Sequence, residues 1–307
     1  MIDHAITLVT LTLAAGTVLI FAALGELVTE KAGVLNLGVE GMMLVGAVAA
    51  FIVADETGRG WLGALVGTAA GAGVALIFAV LTLSLMANQV ATGLALSLFG
   101  TGLSAFAGID HVGHVIEPIV PLALPWLSEL PVVGRLLFAH SPFVYLSLAL
   151  FACVQWFLFH TRAGLVLRAI GESPRSAHAI GHPVLAVRYA AVAFGGACAG
   201  LGGAYLALAY SPLWNEGITA GRGWIALALV VFANWKPWRV LAGAYLFGAV
   251  TLVQFQAQAM GIAVPSQFLA MLPYAATIAV LALISRDATA IRLNAPASLG
   301  RPFHTDG

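Results

Sequence analysis

Long apolar runs, separated by short polar connections, dominate the sequence and predict its architecture. A helix that crosses a membrane needs about 20 mostly apolar residues. Nine segments come near this length, which predicts an all-α, polytopic transmembrane helix bundle of about nine spans, in a single domain over residues 1–307. The predicted spans are 5–24, 37–54, 62–86, 90–108, 143–159, 189–209, 217–234, 239–258 and 263–284.

The segment 161–188 is the polar connection that is richest in arginine. Within it, Ser173 is a suitable N-cap, Pro174 suits the first position of a helix, and Gly181 favours a stop. The sequence therefore predicts a short helix from Glu172 to Gly181. Because a short helix between two spans cannot be a core element, it either lies on the bilayer surface or docks into another protein. We favour docking.

Composition supports the membrane assignment. The chain has 307 residues, of which 61% are hydrophobic and 8% are charged, whereas a soluble domain carries roughly a quarter charged residues. No connection is long enough to form a soluble domain, and the N-terminus lacks the basic region of a cleavable signal peptide. Cys153 and Cys198 both fall within predicted spans, so we expect no disulfide framework.

The distribution of basic residues predicts the orientation. If 161–188 lies inside, the inside connections hold ten lysines and arginines, and the outside connections hold only Arg59, Arg135 and Arg222. Cytoplasmic connections carry the excess of basic residues. We therefore expect the N-terminus outside and the C-terminus inside.

The largest predicted external connection is 109–142. Its prolines alternate with apolar residues, which suggests a short interfacial helix with turns. We interpret it as a cap on the outer surface, and the alternative is part of a docking face for an external partner.

The order of the spans suggests an inverted repeat. Four spans precede 143–159 and four follow it, with opposite directions, and the second span of each set is interrupted by glycines. Paired interrupted segments in inverted halves mark transport sites, although two such segments can coincide in a glycine-rich chain. Small residues also recur at four-residue spacing, which favours close packing of helices; they are Gly63, Gly67, Gly71, Gly196 and Gly200.

Polar side chains concentrate around the two interrupted segments and predict a substrate path. A carboxylate within the bilayer requires a partner or water. Glu40, next to Gly41, is the better candidate for a buried polar group, whereas Glu26 and Glu30 are expected to be interfacial and structural. The predicted path residues are Asn36, Glu40, Asn88, Gln89, Thr92, Trp214, Asn215 and Gln254.

Several kinds of chemistry lack a motif in this sequence. The phosphate-binding G-x-x-x-x-G-K-[ST] pattern is not found, because Lys31 and Lys236 follow Glu30 and Trp235. No hydrolase motif or Cys/His metal spacing was recognised, so we predict neither catalytic residues nor a metal site. Proton-coupled transport remains an alternative, because Glu40 could carry a proton.

Five stretches of sequence resemble one transporter family. They are G-E-L-V-T-E-K-A-G-V-L-N-L-G-V-E-G-M-M-L-V-G-A (25–47), A-N-Q-V-A-T-G-L-A-L (87–96), T-R-A-G-L-V-L-R-A-I-G-E-S-P-R-S-A (161–177), G-R-G-W-I-A-L-A-L-V-V-F-A-N-W-K-P (221–237) and L-P-Y-A-A-T (272–277). In this order they resemble the ABC-importer permeases of the branched-chain amino acid/simple-sugar superfamily, and most closely its nucleoside and simple-sugar branch. Trp224 stands where the family usually has Phe.

The resemblance implies a multi-pass permease subunit in the plasma (inner) membrane that works by alternating access. It would act with an ABC ATP-binding subunit, which binds the ATP, with a second, homologous permease, and with an extracellular or periplasmic substrate-binding protein. This chain itself would need no cofactor and bind no nucleic acid. Relatives often have ten spans, so the first span would be missing here. The short helix corresponds to the family's coupling helix, with Glu172, Arg175, Ala177 and Gly181 as coupling residues.

The cargo is expected to be neutral. The predicted path offers uncharged hydrogen-bonding groups and aromatic rings, whereas an anionic cargo would require arginine or lysine clamps, and only Arg222 could supply one. Together with the branch resemblance, this ranks nucleosides first, neutral simple sugars second and branched-chain amino acids third.

Overall fold

The computed structural model describes residues 2–120, 122–123, 134, 138–260, 265–273, 275–276, 278–279 and 294–304. These residues form a predominantly α-helical bundle. Its helices are α1 (Ile2–Lys31), α2 (Val39–Thr57), α3 (Gly60–Ala79), α4 (Gln89–Ala107), α5 (Pro142–His160), α6 (Arg162–Glu172), α7 (Pro174–Ala179), α8 (Val184–Tyr205), α9 (Arg222–Phe232), α10 (Pro237–Ala259) and α11 (Ser266–Ala270). Five-residue π-helices, Val80–Ser84 and Leu206–Tyr210, extend α3 and α8.

Among the described residues, six helices are long and apolar enough to cross a membrane. They match six of the nine predicted spans and comprise Ile6–Lys31, Gly60–Ser84, Gln89–Ala107, Pro142–His160, Val184–Tyr210 and Pro237–Gln258. The polytopic helical prediction is therefore confirmed.

The other three predicted spans have different outcomes. The segment 37–54 becomes α2, which has 19 residues and carries three acidic residues, Glu40, Asp55 and Glu56. The segment 217–234 contains only the 11-residue helix α9, because its first residues are not helical. Much of 263–284, including 280–284, lies outside the described residues.

The predicted glycine ladders form the close contacts of α3 with α2 and α8. A Cβ atom at Gly71 would collide with the backbone of Gly196 and Gly200, and one at Gly67 would collide with the carbonyl oxygen of Gly46. Close approach of helix backbones stabilises bundles in lipid, where packing replaces the hydrophobic effect. The packing interpretation of these glycines is confirmed.

Two glycines of α3 provide a matched test of this packing. Gly71→Ala is expected to lower the free energy of unfolding by about 1–3 kcal/mol, the usual cost of overpacking. Gly73→Ala, two residues away, adds a Cβ that meets no atom within 4 Å, so it should not lower stability and, because alanine favours the helix, should raise it by up to about 1 kcal/mol. Thermal unfolding of the purified protein in detergent measures both, and equal melting temperatures would contradict the close-packing account.

The segment 161–188 and the C-terminal tail pack against each other at one end of the bundle. Ser298 donates its backbone N–H and its hydroxyl to the carbonyl oxygen of Gly171, at 3.0 and 2.7 Å. Arg188 is fully buried, donates to the carbonyl of Ala32 at 3.1 Å and to Ser298 Oγ at 3.1 Å, and thereby ties α8 to the end of α1 and to this tail.

Residues 113–119, in the predicted external connection, run beside the segment that follows α8. Residues 113–119 make backbone hydrogen bonds to 208–214, including Ile116 N to Pro212 O at 3.1 Å. Beyond it, two short antiparallel strands, β1 (Leu122–Ala123) and β2 (Ala139–His140), pair with each other. The remainder of the predicted external connection, 121, 124–133 and 135–137, lies outside the described residues, as does the helix expected there.

Candidate functional site

The two glycine-interrupted segments meet at the carboxylate of Glu40. Its Oε1 accepts hydrogen bonds from the hydroxyl of Thr219 at 2.5 Å and from the N–H of Gly221 at 2.9 Å. Its Oε2 accepts the N–H of Gly223 at 2.6 Å. Glu40 is 7% exposed and Thr219 is fully buried. The first turn of α2 therefore holds the start of α9 and the loop before it through three hydrogen bonds to one carboxylate.

Local backbone geometry explains why the second segment can reach Glu40. Gly217, Ala220 and Gly221 have φ values of +64°, +47° and +79°, which turn the chain sharply before α9 begins. At Gly223 a Cβ would collide with Glu40, so only glycine permits the close approach. With 11 residues, α9 is about 16 Å long, roughly half the thickness of a bilayer hydrocarbon core.

The first interrupted segment is fixed by its own side chains and by α4. Asn36, fully buried, accepts the N–H of Gly38 at 2.9 Å through Oδ1. Gln89 accepts the N–H of Leu35 at 2.8 Å, and its buried Nε2 has no hydrogen-bond partner within the described part of the chain. These two predicted path residues shape the turn before α2.

Asn88 and Thr92 lie at the start of α4, beside the same turn. Asn88 is exposed and is the N-cap of α4, accepting the N–H of Ala91 at 3.0 Å. Thr92 is half-buried. Of the predicted path residues Asn36, Asn88, Gln89 and Thr92, the first three therefore accept hydrogen bonds that fix the local backbone.

Gln254 lines a cavity of about 240 Å³ next to the loop that Glu40 holds. Thr251 is the other polar side chain of α10 at this cavity, and Arg222 lies at the start of α9. Arg222 Nη1 donates to the carbonyls of Ile218 and Thr219 at 3.3 and 3.1 Å, and its guanidinium lies over the ring of Tyr210. The remaining lining residues are Ala15, Leu19, Ala220, Ile225, Phe247, Gly248, Phe255 and Pro273.

Trp214 and Asn215 lie apart from this cavity. Trp214 is fully buried against Phe51, with ring centroids 5.9 Å apart, in a small apolar cluster with the second half of α2. Asn215 is exposed. The structure therefore brings Gln254, but neither Trp214 nor Asn215, to the cavity beside Glu40 and its loop.

Glu26 and Glu30 were expected to be interfacial and structural, and the structure shows both buried within the chain. Each is 1% exposed. Glu30 Oε2 accepts the indole N–H of Trp235 at 2.5 Å, and Glu26 Oε1 accepts the backbone N–H of Asn36 at 3.2 Å. Glu30 joins distant parts of the chain and Glu26 holds the turn that follows α1, which agrees with the structural role assigned to them.

The predicted short helix is present as α7. Ser173 caps it by accepting the N–H of Ser176 at 3.3 Å, Pro174 is its first residue, and Gly181 has a φ of +90° just after its end. The preceding helix α6, which the sequence analysis did not distinguish, begins directly after α5. Thus two helices, rather than one, fill the segment.

The four predicted coupling residues differ in exposure. Glu172, Arg175 and Gly181 are exposed, whereas Ala177 is 3% exposed and packs against Ile170, Val184 and Phe303. Ala177 therefore faces the chain itself and fixes the position of α7. Directly after α7, the apolar side chain of Ile180 is 74% exposed.

Sequence reasoning missed Thr219 and Thr251, which lie beside the interrupted segment and at the cavity. Thr219 carried a usable signal, because it lies between the glycines of the second interrupted segment. Thr251 carried a weaker one, since it precedes Gln254 by one helical turn, on the same face of α10. Ile180 could not be distinguished from other apolar residues by pattern alone.

Comparison with known proteins gives a family match that covers most of the chain. Residues 8–281 match the model of the branched-chain amino acid transport system permease component. No solved structure matches the chain. The match extends over the region that contains Glu40, α7, α9 and the cavity.

Three curated relatives align over nearly their full lengths. The chain is 43% identical to a putative glucose ABC transporter permease of Haloferax volcanii, over 96% of both chains. It is 36% identical to a nucleoside ABC transporter permease of Lactococcus lactis, over 89% of this chain and 90% of the relative. It is 31% identical to a guanosine ABC transporter permease of Bacillus subtilis, over 93% and 92%.

Proposed function

This chain belongs to the family of branched-chain amino acid transport system permease components, and we propose that its cargo is a neutral, hydroxyl-rich solute, with nucleosides first. It is a membrane-embedded ABC transporter permease that moves sugars or nucleosides, as its relatives are sugar and nucleoside permeases. Permeases of this kind are transport subunits and not enzymes themselves.

One observation supports a neutral cargo: the groups at the second interrupted segment that could bind an anion already have partners within the chain. Helix N-termini attract anions through their free N–H groups and their dipole. At α9 these N–H groups already bind the carboxylate of Glu40, and one nitrogen of Arg222 is occupied by two carbonyl oxygens. Of the described residues that line the cavity, Arg222 alone would then offer a positive charge to an anionic cargo, whereas a neutral solute requires no such charge.

The cavity beside α9 suits a small solute with one apolar face. Its volume of about 240 Å³ lies below the range of about 300–1,000 Å³ that is typical of sites for drug-sized ligands. Thr251, Gln254 and Arg222 offer hydrogen bonds, and Phe247 and Phe255 offer aromatic surface. A nucleoside combines hydroxyl groups with a flat aromatic base, which fits both kinds of lining.

The transport mechanism that we propose is alternating access around the contact between α2 and α9. In this mechanism, a separate ATPase engages α7, a second permease completes the pathway, and an external binding protein delivers the cargo. We further propose about nine spans with the N-terminus outside and the C-terminus inside. The packing of the C-terminal tail on Gly171 supports a common side for that tail and α6–α7.

Cargo is tested by the ATPase activity of the reconstituted complex with its binding protein. We expect stimulation by guanosine, because two relatives carry nucleoside or guanosine in their names. A simple sugar is the second candidate, favoured by the 43% identity to the putative glucose permease. Stimulation by glucose or ribose but not guanosine would move the assignment to sugars, and stimulation by leucine alone would contradict a neutral, hydroxyl-rich cargo.

A further inference from the structure

Three side chains with metal-binding groups converge at the end of α2, away from the cavity. Nδ1 of His111 lies 2.7 Å from Asp55 Oδ2, and Nδ1 of His114 lies 2.9 Å from the same oxygen. One ligand atom of each residue lies within 4.8 Å of those of the other two. The sequence analysis recognised no metal spacing, because Asp55 precedes the H-V-G-H stretch by more than 50 residues.

Backbone contacts hold this cluster in place. His111 ends a 3₁₀ turn, Ile109–His111, and its ring lies edge-on to Phe51 of α2, with ring centroids 6.4 Å apart. Gly113 turns the chain with a φ of +82° and donates its N–H to the carbonyl of Trp214 at 3.0 Å. The carbonyl of His114 accepts the N–H of Trp214 at 3.2 Å. The loop is therefore anchored independently of its imidazole groups.

The charge and exposure of the cluster suit a cation. Asp55 lies one residue beyond the predicted span 37–54, and its carboxylate contacts both imidazole rings. The side chain of His114 is 54% exposed, and those of His111 and Asp55 are 16% and 22% exposed. A dissolved ion can reach the site, and a water molecule can occupy a fourth coordination position on the side of His114.

We propose that Asp55, His111 and His114 form a three-ligand site for Zn²⁺ or a similar divalent transition metal. Zn²⁺ binds imidazole nitrogen and carboxylate oxygen at about 2.0–2.2 Å, usually with tetrahedral geometry. Each nitrogen–oxygen separation would have to widen to about 3.3 Å for that geometry, an adjustment of a few tenths of an ångström. Calcium and magnesium fit less well because they prefer ligand sets made of oxygen.

Bound metal would join α2 to the loop that carries both histidines. Asp55 belongs to the last turn of α2, whose first turn contains Glu40. The histidines belong to the loop that pairs with Leu213 and Trp214, just before the loop that Glu40 holds. The ion would therefore fasten the far end of α2 to the chain that leads into α9. This inference does not depend on the cargo or on the direction of transport.

The test uses the purified full-length protein in detergent and Zn²⁺ alone, with affinity measured by competition against a chromogenic chelator. We expect wild-type protein to bind one equivalent of Zn²⁺. Loss of a second-shell group typically costs 10–100-fold in metal affinity, so His114→Gln, which removes a ligand, should weaken binding at least about 100-fold. Because His114 is the most exposed of the three ligands, this variant should fold normally. His111→Gln is the second variant.

The control is His178→Gln, which changes an exposed histidine on α7, far from the cluster in sequence and next to Phe303. It should bind Zn²⁺ as the wild type does. Bound Co²⁺ should also give a ligand-field absorption spectrum in the wild type that His114→Gln lacks. The absence of stoichiometric binding to wild type, or equal affinity in His114→Gln, would overturn the proposal and leave the cluster as a hydrogen-bonded brace.

Discussion

Replacing Glu40 with alanine is expected to abolish transport by the assembled importer and to lower the free energy of unfolding by about 3–5 kcal/mol. The substitution leaves the N–H groups of Gly221 and Gly223 and the hydroxyl of Thr219 without their acceptor. Hydrogen bonds to a charged group contribute about 1.5–3 kcal/mol each, and buried donors that lose their partner cost about 1–3 kcal/mol. Their effects are not additive, so the expected total lies in the lower half of the sum of three such losses.

Transport depends on this contact because it fixes the two interrupted segments relative to each other. Uptake into proteoliposomes and thermal unfolding of the permease measure the two effects. Glu56→Ala is the matched control, since it removes an exposed carboxylate from the other end of the same helix, and it should leave both unchanged. Normal uptake by Glu40→Ala would show that the contact between α2 and α9 is dispensable.

A milder variant separates charge from packing. Glu40→Gln keeps the size of the side chain but places an N–H₂ group against one of the backbone N–H donors, so it should lose a smaller part of the stability. It also tests the alternative of proton-coupled transport. Movement of substrate by the wild-type chain alone under a proton gradient, lost in Glu40→Gln, would favour that alternative over an ATP-driven mechanism.

The sequence predicted the membrane-spanning helices well because their signal is local. An apolar run of about 20 residues specifies a span almost without regard to the rest of the chain. Ser173, Pro174 and Gly181 likewise specified the ends of α7 through their own backbone preferences. The identification of Glu40 as a buried polar group also succeeded, because a carboxylate next to Gly41 in an apolar run is a local feature.

What the sequence could not specify were contacts between distant residues. Glu30 and Trp235 are 205 positions apart, and Thr219 and Glu40 are 179 positions apart. Nothing in the pattern around Glu30 distinguishes an exposed carboxylate from one that is buried with a partner. For the same reason, the sequence pattern predicted both Trp214 and Gln254 as path residues, although of these two only Gln254 lies at the cavity. Which side chains pair depends on how the helices pack, and the local sequence pattern does not specify that packing.

Replacing Ile180 with aspartate is expected to weaken the association with the ATPase by about 30-fold. Ile180 is 74% exposed just after α7, whereas Ala177 faces inward and holds the helix in place. An apolar side chain presented by a rigid element is the kind of anchor that a partner buries, and loss of such an anchor costs about 2 kcal/mol or more. Because the side chain is already exposed, the substitution should leave the thermal stability of the permease unchanged.

Val120→Asp is the matched control for this prediction. Val120 is 76% exposed, in the connection predicted to lie on the opposite side of the membrane from α7. Both variants place the same charge at a similarly exposed apolar position, so a general effect of the charge would appear in both. Co-purification of the ATPase with tagged permease should fall for Ile180→Asp and remain at the wild-type level for Val120→Asp. Retention of the ATPase by Ile180→Asp would mean that the partner does not bury this side chain, and equal losses in both variants would mean that the effect is not specific to α7.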